Sequence, residues 1–159
     1  MCIRDRYGIV GVLEVDCEIM GWFAYKVTDD DRSALDLQTL PSSADQQVLE
    51  ALAMLIALRI WSCIWREHRA VLSVRSDNVA TLAMVANMQL HSTNMGIVAR
   101  EMALDIAIGT YAPQMIEHIP GVANKLADTL SRLNAPGGSA KFPGRLRPDL
   151  LWLCPQRNQ

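Results

Sequence analysis

The sequence predicts a mixed α/β domain, and three observations carry that prediction. β-Branched and aromatic runs separated by turns fill the chain from Tyr7 to Leu37. A long apolar segment of helical length, centred on Val48 to Trp65, comes next. Strand-like and helix-like segments then alternate to about Leu133. The implied order is three antiparallel strands, helix, strand, two helices, strand, helix. Strand–helix–strand crossovers would set the last two strands of this mixed five-stranded sheet parallel to the first.

Tyr7 to Val15 is apolar and glycine-containing, as a central strand can be, and Asp16 to Glu18 makes a hairpin turn before a second strand over Ile19 to Val27. Arg32 to Leu37 is a short third strand after the acidic turn Asp29-Asp30-Asp31. Pro41-Ser42-Ser43 announces a helix with Ser43 as N-cap and Asp45 in the first turn, running to about His68. Because it is apolar nearly all round, this helix should pack on a sheet face. Ala70 to Arg75 is a buried strand ending at Ser76-Asp77-Asn78. Helices over Asn78 to Met88 and Asn94 to Tyr111, a strand over Gln114 to Ile119 and a helix over Ala123 to Leu133 complete the domain. From Pro136 onward the chain is proline-rich and basic, and reads as a linker or extended tail.

With 159 residues, half of them hydrophobic, the chain has material for one domain with a real core. A net charge of −2 argues against a stand-alone nucleic-acid binder, which would carry a basic face. Cys2, Cys17, Cys63 and Cys154 lack the close spacing of a zinc site and read as reduced, mostly buried thiols of an intracellular protein, in cytoplasm or nucleus. The most apolar stretch contains Glu50 and Arg59, so it reads as a buried helix rather than a membrane span.

Three acids stand where a core has no use for them. Glu50 lies in an apolar helix, Asp77 follows a buried strand, and Asp128 sits among Leu126, Ala127 and Leu130 on the last helix. Burying a carboxylate is costly unless a cation or hydrogen bonds offset it. Strand C-termini of α/β sheets are where ligands collect, and an oxygen-only donor set suits Mg²⁺ or Mn²⁺. Each acid also has a plainer reading: Glu50 as a solvated helix residue, Asp77 as an N-cap, Asp128 as the partner of Arg132 four residues on.

Glu50 in its apolar helix, Val74-Arg75-Ser76-Asp77-Asn78, and above all the run His118-Ile-Pro-Gly-Val-Ala-Asn-Lys-Leu-Ala-Asp-Thr-Leu-Ser-Arg132 resemble the ribonuclease H domain of retrotransposon reverse transcriptases, of gypsy-like or DIRS type. The likeness runs from about Tyr7 to Pro136. It implies a ribonuclease H-like fold and cleavage, with two Mg²⁺ or Mn²⁺ ions, of the RNA strand of an RNA–DNA hybrid. It also implies a reverse transcriptase domain upstream in the same polyprotein and no membrane partner. Of the family's four carboxylates, the last three map onto Glu50, Asp77 and Asp128 as catalytic metal ligands. His118 maps onto a histidine that aids proton transfer in some relatives, or is a strand-end histidine. Gln46, Gln47, Asn78 and Asn124 are the substrate-side candidates: the glutamines as minor-groove donors, Asn124 as an organiser of the turn beside Asp128. Trp61 and Trp65, at helical spacing, read as core rather than as a base-stacking platform. The basic tail reads either as a phosphate contact or as a linker to the next polyprotein segment.

The family's first aspartate falls about five residues before Gly8, within residues 1–6. Asp5 is close but out of place, and Asp16 lies in the hairpin turn. Met1-Cys2-Ile3-Arg4-Asp5-Arg6, read back into codons, matches the end of a transposon adaptor used for sequencing libraries; a genuine start with a polar leader is the other reading. The expected organisation is therefore residues 1–6 as adaptor artefact, 7–135 as an N-terminally truncated ribonuclease H-like domain and 136–159 as tail. The fourth ligand, and activity with it, is expected to be missing. The alternative is a non-catalytic module of the same fold that supports a polymerase or binds the hybrid, against which the three retained acids argue.

Overall fold

The computed structural model describes residues 8–37, 42–65, 70–76, 78–79, 81–83, 94–109, 111–118, 125–134 and 141–154. They form a mixed α/β structure, as expected. The described strands, however, make two two-stranded sheets rather than one of five strands.

Strands β1 (Ile9–Val15) and β2 (Glu18–Tyr25) form an antiparallel hairpin. Its two-residue turn, Asp16-Cys17, has φ of 52° and 67°. Positive φ at both positions is what lets a two-residue loop follow the twist of its strands. Asp16 is thus a turn residue. The hairpin buries both faces. Ile9 and Phe23 belong to the larger core cluster, while Val10 and Trp22 belong to a second cluster on the other side. Gly11 sits opposite Phe23, and a Cβ there would run into the Phe23 ring.

The expected third strand over Arg32 to Leu37 is not formed. Helix α1 (Asp29–Ala34) occupies its first part, because Thr28 and Asp31 make a capping box. The Thr28 hydroxyl accepts from the Asp31 N–H at 3.2 Å, and the Asp31 carboxylate accepts from the Thr28 N–H at 2.9 Å. The Tyr25 hydroxyl donates to the same carboxylate at 2.8 Å. Three aspartates in the first turn suit the positive end of the helix dipole. What reads as an acidic turn before a strand is therefore a helix start.

Helix α2 (Ser43–Ile60) is capped by Ser42, one residue earlier than expected, again in a box with Asp45. It is apolar nearly all round because it is covered on two sides, by the hairpin and by helix α4 (Met95–Ile108). Arg59 ties the two helices together, with Nε 2.6 Å from Asp105 and a terminal nitrogen 2.8 Å from Glu101. At Trp61 the helix breaks, and a short helix α3 (Ser62–Trp65) follows. Trp61 and Trp65 are both buried, as core residues.

Strands β3 (Ala70–Ser76) and β4 (Tyr111–His118) pair in parallel, as expected of a strand–helix–strand unit. The register slips at Pro113: Leu72 pairs with Pro113 but Ser73 with Met115, leaving Gln114 as the extra residue. A bulge is where a strand tolerates a proline. Arg75 and Glu117, opposite one another, make a 2.9 Å ion pair. Between β1 and β3 lies a cavity of about 240 Å³ floored by Met54, Leu58, Trp61 and Trp65. Val12, Leu13 and Glu14 line it in succession, as do Leu72 to Arg75. Successive strand residues point to opposite faces, so the cavity runs along the edges of both strands.

Helix α5 (Lys125–Ser131) and a 3₁₀ turn (Arg132–Asn134) lie on the other face of the hairpin, with Ala127 and Leu130 in the cluster of Val10 and Trp22. Residues 141–154 lie along β2: Leu151 bridges Trp22 in parallel, the Trp152 N–H donates to the Trp22 carbonyl at 2.8 Å, and the Trp22 indole donates to the Arg147 carbonyl at 2.8 Å. Phe142 stacks obliquely on Trp22, and Leu146 is buried. Gly21 makes room for this packing, since a Cβ there would come within 2.8 Å of the Trp152 indole nitrogen.

Cysteine burial is also corrected. Cys17 and Cys63 are exposed, one in the hairpin turn and one on α3; Cys154 is half-buried. Burial pushes the Cys154 thiol from its ordinary 9.0 up to about 11. At pH 8, in a Cys2→Ser background, a thiol reagent is expected to modify the exposed Cys17 and Cys63 faster than the half-buried Cys154, which equal rates at all three would contradict. The stability this thiol contributes is intact below pH 9.0 and is lost as pH rises through about 11, because the unfolded thiol ionises first.

Candidate metal and nucleic-acid site

Glu50 lies in the second turn of α2, with Gln46 one turn before it. Its neighbours Val48, Leu49 and Ala51 are core residues, and Glu50 itself is only 3% exposed. The Gln46 amide donates to Glu50 Oε1 over a long 3.4 Å. Gln46 therefore addresses the acid, and Gln47 beside it is half-buried.

Asp128 lies on α5. Packing of Ala127 and Leu130 against the hairpin leaves its side chain 30% exposed. Arg132 grips both carboxylate oxygens, Nε to Oδ2 and a terminal nitrogen to Oδ1, each at 3.1 Å. That is the pairing the four-residue spacing allows.

The other candidates lie at the ends of β3 and β4. Ser76 pairs in register with His118, which is exposed. The Ser76 side chain, missed by sequence reasoning, is fully buried and accepts from the Asn78 N–H at 3.1 Å. Asn78 Oδ1 accepts from the Thr81 N–H at 3.2 Å and its carbonyl from the Leu82 N–H at 3.2 Å. Asn78 thus caps the helical turn that follows, the role weighed for Asp77 from sequence. The run Ser-Asp-Asn holds this signal, with three capping residues in succession. Asp77 and Asn124 lie outside the described residues.

The hairpin organises these positions. α2 packs on one face of β1 and α5 on the other, so the helices bearing Glu50 and Asp128 share one strand. Among the described residues, no three histidine, cysteine or acidic side chains converge as a cation site. Glu50 and Asp128, as carboxylate oxygen donors, are of the kind a hard divalent cation takes. Among the described residues no helix is long and apolar enough to cross a membrane. No protein-family model, curated protein or solved structure matches this chain.

Proposed function

We propose that this chain is the ribonuclease H domain of a retroelement reverse transcriptase, hydrolysing the RNA strand of RNA–DNA hybrids with two Mg²⁺ or Mn²⁺ ions. The observation that carries the reading is Glu50, a carboxylate 3% exposed on an apolar helix packed against the first strand. Burying an acid there is costly unless hydrogen bonds or a cation offset it, and a bound cation would do so. The closing run from His118 to Arg132 and the order of Glu50, Asp77 and Asp128 support the same reading. Bound cations would activate a water and stabilise the leaving oxygen of a phosphodiester. Glu50, Asp77 and Asp128 would hold them, with His118 at the rim for proton transfer. Gln46, Gln47, Asn78 and Asn124 would face the hybrid, and the polymerase domain would lie upstream.

The finer fold belongs to the same proposal. β1 and β3 border one cavity along their edges. Joining them would give a single sheet in the order β2-β1-β3-β4, four strands of the five-stranded sheet expected.

The test is Mg²⁺-dependent cleavage of an end-labelled hybrid. Two proteins are compared: this chain, and a version in which an Asp-Ala-Ser first strand replaces residues 1–6. The restored protein is expected to cut, leaving 3′-hydroxyl and 5′-phosphate ends. This chain, with three of the family's four acids, is expected to cut little or not at all. Silence from the restored protein would move the reading to a non-catalytic module. Equal cutting by both would remove the missing-ligand argument.

A further inference from the structure

Arg132 closes a fork on the acid that the proposed site needs. Both Asp128 oxygens are taken, at 3.1 Å each, and the two side chains are 60% and 30% exposed. Arg132 belongs to the 3₁₀ turn that follows α5, and Ser131 beside it is fully buried. The backbone there is anchored while the guanidinium reaches back over one helical turn.

We propose that Arg132 is a positioning residue that holds Asp128 until a divalent cation takes it, so that exchange between guanidinium and cation sets the metal affinity of the site; this rests on the metal-site reading of Asp128. The guanidinium fork occupies the lone pair of each oxygen that faces it and sets a positive charge where a cation would approach, so a divalent cation has to compete with it for Asp128. An exposed ion pair is weak, so the exchange is readily reversible. After it, the guanidinium and the dication are like charges at close range, and Arg132 swings outward into solvent. Before it, the pair is neutral.

The exchange is tested by Mn²⁺ binding to this 159-residue chain, followed by the loss of the free-ion paramagnetic resonance signal, for the parent, Arg132→Ala, Arg132→Lys and Asp128→Asn. Arg132→Ala is expected to bind Mn²⁺ roughly two- to five-fold more tightly than the parent, the ratio that an exposed pair's strength corresponds to. Arg132→Lys, which keeps the charge and loses the fork, should fall between them. Thermal melts of each protein without metal confirm that it is folded. Equal or weaker binding by a folded Arg132→Ala overturns the exchange, even where Asp128→Asn still shows Asp128 to be a ligand. If Asp128→Asn binds as the parent does, the metal reading of Asp128 fails, and this proposal fails with it.

Discussion

Ending the chain at residue 140 is expected to cost about 4–5 kcal/mol of stability. The loss combines roughly 2–3 kcal/mol for burial lost at Leu146 and Trp22 with about 1 kcal/mol for each of two hydrogen bonds to the tail. Domains of this size are stable by only about 5–15 kcal/mol in total, so the shortened chain sits near the edge of folding. Urea denaturation followed by circular dichroism reads the shift in midpoint. Leu146→Ala, a gentler change, should cost about 2–4 kcal/mol, since Leu146 is 3% exposed among Val10, Trp22 and Leu130. An unchanged midpoint in both would return the tail to the role of a linker.

That tail shows why part of the fold is legible in sequence and part is not. Strands β1, β2 and β3 and helix α2 announce themselves by periodicity and composition, which are local. The tail's place is set by what it touches more than 100 residues away. The Trp22 indole needs an acceptor, Gly21 leaves a gap, and residues 147–152 supply the carbonyl, the bridge and the indole that fill it. No window of sequence contains both halves of that contact. The misread third strand is a different case. Thr28 and Asp31, three residues apart, are a capping box legible in the sequence, and it starts a helix where a strand is expected. The candidate site divides in the same way. The acid in α2 and the pairing of Asp128 with Arg132 follow from spacing. That Asn78 caps the next turn is set by the hydrogen bond it accepts from Thr81, which three capping residues in succession leave open in the sequence. Where β1 and β3 stand relative to one another is a property of the packed core and of no single segment.

Glu50→Gln offers the sharpest separation of function from scaffold, because the two readings of this acid predict changes of opposite sign. In the protein with its first-strand aspartate restored, the amide is expected to lower Mg²⁺-dependent hybrid cleavage by roughly 10²–10³-fold, the rate equivalent of a few kcal/mol of lost charge stabilisation. The same change should leave the urea midpoint level or raise it. Gln matches Glu in shape, the Gln46 amide can still donate to a side-chain oxygen, and the desolvation cost of a charge at 3% exposure disappears. If Glu50 were instead a structural acid held by its neighbours, neutralising it would weaken charge-assisted hydrogen bonds. The midpoint would then fall while any cleavage persisted. A residue whose neutralisation stabilises the fold and silences the reaction is there for the reaction.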